Sequence, residues 1–165
     1  MNPADQQDIY SPEERKRRDA TSWTLVQAIL APLQFLIFLV SLVLVMNYLN
    51  NGSGLAAATA SVVVKTLVLY LIMVTGAIWE KEVFGRYLFA PAFYWEDMVS
   101  MVVIALHTAY LASWLFDLIP PQQQMLLALV AYITYVINAG QFLFKFQQAR
   151  PAKRQIQAEL AGVGE

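Results

Sequence analysis

Glu96 and Asp97 stand side by side at the head of an apolar stretch, and His107, the only histidine of the chain, lies further along it. Positions 96, 100, 103, 107, 110 and 114 follow the three-four spacing of one helical face. Glu96, Ser100, His107, Tyr110 and Trp114 therefore share a stripe, with Asp97 at its side. A rise of ~1.5 Å per residue puts His107 about 15 Å beyond Glu96. Of two adjacent acids that lose solvent, one can keep its proton and act as a general acid at neutral pH. The plainer reading makes them a helix N-cap with an acidic first turn, favoured by the helix dipole. An imidazole can ligate a metal, including the magnesium or iron of a tetrapyrrole, or shuttle a proton. It can equally hydrogen-bond a neighbouring helix.

Other polar residues stand where apolar ones are expected. Lys65 lies inside a second apolar run, either snorkelling or serving as counter-ion to an acid or a ligand carboxylate. Glu80 ends the same run beside Trp79, at the level of Glu96. Tyr135, Asn138 and Gln141 recur at a spacing of three with Lys145 one turn on, and Gln27 and Gln34 lie one heptad apart. Interhelical hydrogen bonding is the plainer role of these amides; in a pocket they would point inward.

The elements that must position these residues follow from composition. The chain has 165 residues, 58% hydrophobic and 14% charged, which is not the balance of an ordinary water-soluble globule. Apolar runs at 24–48, 57–79, 97–116 and 123–145 each reach the ~20 residues that cross a bilayer as a helix. The first is too long for a secretory signal core and is expected to be retained. Arg15, Lys16, Arg17 and Arg18 precede helix 1, Lys81 and Arg86 follow helix 2, and Arg150, Lys153 and Arg154 follow helix 4. The connections NNGSG and DLIPPQQQ carry no basic residue, so both termini and the helix 2–3 connection are expected in the cytoplasm. The fold expected is all-α, a polytopic membrane protein of four transmembrane helices, N-in and C-in. Its parts are an arm (1–23), a four-helix domain (24–146) and a tail (147–165), with arm and tail reading as solvated segments. EKEVFGRYLFAPAFYWED is expected in the interface, its aromatic residues at headgroup depth and Arg86 near anionic lipid. Pro120 and Pro121 are expected to end helix 3. The absence of cysteine removes disulfides and thiolate chemistry, and a net charge of -1 argues against nucleic-acid binding.

Several stretches together carry a family resemblance: RRDATSWTLVQAILAPLQFLIFLVSL, VKTLVLYLIMVTGAIWEKEVFGRYLFAPAFYWEDMVSM, LHTAYL and AYITYVINAGQF. Over about Arg17 to Phe144 the chain resembles the vinyl bacteriochlorophyllide hydratase family of phototrophic bacteria. The resemblance implies a hydro-lyase of bacteriochlorophyll synthesis that adds water to the ring A vinyl group of a (bacterio)chlorophyllide, leaving a 1-hydroxyethyl group. Such chemistry asks for an acid, a positioned water and surroundings that tolerate cationic charge, and for no cofactor. On this reading Glu96 or Asp97 is the proton donor or orients water, with Glu80 as the alternative. His107 is a second acid/base or an axial ligand of the substrate's magnesium. Lys65 and Arg86 compete for the substrate carboxylate, and Tyr110, Asn138 and Gln141 line the substrate and water site. The implied setting is the cytoplasmic or intracytoplasmic membrane, with lipid, a second copy or other enzymes of the pathway as partners. The rival readings are a non-enzymatic pigment carrier or assembly protein and, ranked lower, a transporter subunit pairing Lys65 with Glu96.

Overall fold

The computed structural model describes residues 9–162, with side chains as far as residue 147. Five helices follow one another: α1 (Pro12–Ala20), α2 (Ser22–Asn51), α3 (Leu55–Phe84), α4 (Tyr94–Leu115) and α5 (Pro121–Gly162). No strand occurs among the described residues. α2, α3, α4 and the Pro121–Gln147 part of α5 are long and apolar enough to cross a membrane, which gives the four expected spans.

The arm before the first span contains a helix, α1, with no buried residue of its own. Ser11 and Glu14 form a capping box: the Glu14 N–H donates to Ser11 Oγ at 3.3 Å and the Ser11 N–H donates to the Glu14 carboxylate at 2.8 Å. Pro12 takes the first helical position, where its missing N–H costs nothing. Tyr10, just before the cap, is buried, stacked on Phe84 at 5.7 Å with the Arg18 guanidinium 4.7 Å from its ring centroid. S-P-E-E supplies the helix start by itself, and the docking of Tyr10 fixes the helix to the bundle. The backbone of α5 stays helical to Gly162, while residues 1–8 and the side chains of Arg150, Lys153 and Arg154 lie outside the described residues.

Gly85 ends α3 in the left-handed region (φ 83), its N–H returning to the Lys81 carbonyl at 3.0 Å. α4 stops at Leu115, and Pro121 opens α5 rather than closing the helix before it. α2 packs chiefly on α3 and α4 chiefly on α5. The two hairpins meet over a core that includes Phe38, Val62, Leu69, Val103, Tyr110 and Tyr132. Leu36, Val43, Leu67, Val74 and Ile133 face outward, as lipid contact requires. Lipid tails give little hydrophobic drive to helix association, so close packing and interhelical hydrogen bonds must hold the bundle. Gln27 Nε2 donates to Thr75 Oγ1 at 2.7 Å, Trp79 Nε1 to Thr24 Oγ1 at 2.9 Å, and Ser41 Oγ lies 2.7 Å from Ser61 Oγ and 2.5 Å from Tyr132 Oη.

Candidate active site

The sequence-predicted polar residues separate into two groups. One lies at the end of the bundle where α3 finishes, α4 begins and α1 docks; the other lies deep between the helices.

At the α1 end, Glu96 and Asp97 are both buried but face different partners. Glu96 Oε2 accepts from Lys145 Nζ at 2.8 Å, an ion pair between α4 and α5. The Asp97 carboxyl instead meets the Glu80 carboxyl of α3 at hydrogen-bonding range. Two carboxyls can stay that close away from water only if at least one of them keeps its proton. Neither Glu96 nor Asp97 caps α4, whose N-cap position is Phe93 without a side-chain bond. The pair is held by consecutive backbone donors of the 85–93 connection. The Phe89 N–H donates to Asp97 Oδ2 at 2.8 Å, and the Ala90 N–H donates to Glu80 Oε2 at 3.3 Å. Phe89 has φ 58, a conformation costing a bulky residue about 1–3 kcal/mol. That turn brings both N–H groups to bear on the carboxyls.

Phe93 covers this region, 1% exposed among the rings of Trp79, Phe84 and Phe142, whose centroids lie 5.8, 5.8 and 5.9 Å away. Tyr10 closes the cluster from α1; burial pushes its phenol up to about 12, with the Arg18 charge acting in the opposite direction. Tyr87 of the 85–93 connection and Tyr94 and Trp95 at the start of α4 are exposed, as is Arg86 beside Tyr87. Asn138 is fully engaged, its Oδ1 accepting from Ser100 Oγ at 3.0 Å and its Nδ2 donating to the Glu96 carbonyl at 2.9 Å. It therefore fastens α5 to α4. Gln141, one turn away, keeps an unpartnered Oε1.

The deep group joins Lys65, His107 and Tyr110, each fully buried. His107 Nδ1 bonds the Val103 carbonyl at 2.8 Å and its ring lies 5.9 Å from that of Tyr132. Lys65 Nζ lies 3.7 Å from the Tyr135 ring centroid. Trp114 has turned to the surface, where with Ala56, Thr59, Ala60 and Val63 it lines an open groove of about 770 Å³ far from the carboxyl pair. Among the described residues no group of three or more His, Asp or Glu is placed to hold a metal ion.

Sequence reasoning set Glu96 beside Asp97 because they are neighbours, and missed that Asp97 pairs with Glu80. The available signal was the position of Glu80 at the level of the acids. Lys145, one turn beyond Gln141 on the predicted face, was the corresponding signal for the partner of Glu96.

Comparison with known proteins adds a family. A family model described as 2-vinyl bacteriochlorophyllide hydratase (BCHF) matches residues 10–148. A 2-vinyl bacteriochlorophyllide hydratase from Rhodobacter capsulatus is 69% identical over 142 residues, 86% of this chain and 82% of the relative. One from Cereibacter sphaeroides is 67% identical over 142 residues, 86% of this chain and 88% of the relative. No solved structure matches the chain.

Proposed function

The chain belongs to the 2-vinyl bacteriochlorophyllide hydratase family, and from that premise we propose that its chemistry runs on the Glu80–Asp97 pair at the α1 end of the bundle. It is a multi-pass membrane enzyme, a hydro-lyase of bacteriochlorophyll biosynthesis that adds water to the vinyl group of a bacteriochlorophyllide. The observation that carries the site is the meeting of two carboxyls from different helices under two backbone donors.

Hydration needs a proton on the terminal vinyl carbon and a hydroxyl on the carbon attached to the macrocycle. Glu80 is the acid and Asp97 the carboxylate, since Asp97 receives the shorter backbone bond, 2.8 Å against 3.3 Å, and N–H donation favours the charged form. Glu80 gives its proton to the terminal carbon, which becomes a methyl group, and the resulting cation spreads into the macrocycle. Water forms the new C–O bond as Asp97 takes its proton. Transfer of that proton across the carboxyl pair restores Glu80, so the net change is one water added.

Arg86, rather than Lys65, receives the substrate carboxylate, and exposed Tyr87, Tyr94 and Trp95 offer aromatic faces to the macrocycle. Lys65 is fifteen residues from Glu80 on the same helix, about 22 Å along the axis, and His107 is about 15 Å from Asp97 along α4. Both are therefore left out of the reacting site, as is Tyr110. Glu96 orders α4 on α5 through Lys145, and Gln141, whose Oε1 is unpartnered, is the amide left to hold water. The basic residues support an orientation with both termini and the 85–93 connection in the cytoplasm, in the cytoplasmic or intracytoplasmic membrane.

The test is turnover of 2-vinyl bacteriochlorophyllide a by purified protein in lipid nanodiscs, followed by absorption and by the mass of one added water. Glu80→Gln and Asp97→Asn are each expected to lose about 10²–10⁴-fold in kcat while still binding pigment. Residual turnover of Asp97→Asn should fall only toward high pH, where Glu80 loses its proton. That of Glu80→Gln should fall only toward low pH, where Asp97 gains one. Full activity in both variants would place the chemistry elsewhere.

A further inference from the structure

The deep group between α3 and α4 takes no part in the hydration chemistry, yet Lys65 Nζ and His107 Nε2 end there without a hydrogen-bond partner, and Tyr110 Oη has at most a long contact with Thr59. All three residues are 0% exposed. Polar atoms so enclosed are satisfied by protein or by bound water, because leaving them bare in a low-dielectric core is costly. We propose that Lys65, His107 and Tyr110 form an internal water-binding site between α3 and α4, separate from the carboxyl pair.

The donor set identifies the ligand class. His107 Nδ1 lies 2.8 Å from the Val103 carbonyl, so the ring proton is on Nδ1 and Nε2 presents a lone pair. Lys65 can only donate when charged, and Tyr110 donates and accepts. A metal ion is disfavoured by the lysine, which lies within electrostatic reach of His107. An anion is disfavoured by the Nε2 lone pair and by the Tyr135 ring face already under Lys65 Nζ at 3.7 Å. A macrocycle would have to part His107 from the Tyr132 ring 5.9 Å away. Water that donates to Nε2 and accepts from both Lys65 and Tyr110 satisfies all three within the usual two to four bonds of a buried water.

The surroundings supply a route for exchange and a structural role. Thr59, whose hydroxyl is in reach of Tyr110 Oη, also lines the outer groove, so the groove is the side from which the site exchanges. Toward the carboxyl pair the polar face of α4 is interrupted by Val103, whose carbonyl is already taken by His107. The site therefore fills from the groove and does not feed the reaction. It joins α3 to α4 in a region where the Tyr70–Thr108 hydrogen bond of 2.6 Å is the neighbouring cross-link.

A single histidine makes the test unambiguous. Full-length protein labelled with ¹⁵N-histidine in nanodiscs should give one pair of ring nitrogen signals, with Nδ1 protonated and Nε2 bare and accepting a hydrogen bond. Magnetisation from exchangeable water should reach the His107 ring, and the transfer should fall at least several-fold in Lys65→Met and in Tyr110→Phe. Replacing chloride by bromide should leave the Nε2 shift unchanged. No water transfer in the wild-type protein, a protonated Nε2, or a halide-dependent shift would each overturn the proposal. The wild-type spectrum decides it even if a variant fails to fold, and none of these readouts depends on where hydration chemistry occurs.

Discussion

Lys65→Met separates a reacting site at the α1 end from one in the middle of the bundle. Lys65 is fully buried, and its Nζ interacts with the Tyr135 ring at 3.7 Å. A lysine at the centre of a membrane helix costs about 2.5–3.5 kcal/mol. The cation–π contact returns about 0.5–2 kcal/mol of that when desolvated. Methionine has nearly the same length and no charge, so the difference, less the hydrogen bond Lys65 gives the internal water, predicts a variant more stable by roughly 1 kcal/mol. Turnover should stay within about threefold of wild type, since the carboxyl pair lies about 22 Å away along α3. Reversible unfolding in mixed micelles gives the first quantity, and vinyl-hydration kinetics with separate kcat and KM give the second. A KM raised a hundredfold in a variant at least as stable as wild type would refute the reasoning: Lys65 would then hold the substrate carboxylate, and the macrocycle would sit in the middle of the bundle.

The other predictions concern the α1 end. Glu96→Gln leaves Lys145 without its 2.8 Å partner, and because Lys145 is 23% exposed and can reach water, the expected loss is about 1–2 kcal/mol of stability, read by the same unfolding assay, with turnover largely kept. A turnover loss matching that of Asp97→Asn would return Glu96 to the chemistry. Tyr10 titrates near pH 10 when unfolded but at about 12 when folded, so the folded state holds the phenol proton more tightly. Stability should therefore fall as pH rises from about 10 to 12, by about 2–3 kcal/mol in all, and Tyr10→Phe should lack that fall. Identical pH curves for Tyr10→Phe and wild type would mean that α1 does not dock through this ring.

The four spans and their alternation with polar connections were legible in the chain, because a bilayer demands about twenty apolar residues per helix and a sequence displays that directly. So was the polar face of α4, since helical spacing alone aligns Glu96, Ser100, His107 and Tyr110. The family too was legible, from long runs of matching residues rather than from any one catalytic motif.

Pairing between helices could not be read that way. Asp97 and Glu80 lie on different helices, and only the packing of α3 against α4 and the reversed turn at Phe89 bring their carboxyls together. Glu96, although next to Asp97, points to Lys145 because adjacent helical residues project about 100° apart. Helix-forming residues carry their own local geometry in their order along the chain, whereas a carboxyl pair exists only where two rotations and a depth in the bundle coincide. The same holds for α1: S-P-E-E supplies a cap, but the arm becomes part of the fold because Tyr10 meets Phe84 and Phe93. The chain thus determined which segments are long and apolar enough to cross the membrane and which faces are polar, and tertiary packing decided which acids meet each other and which tie helices together.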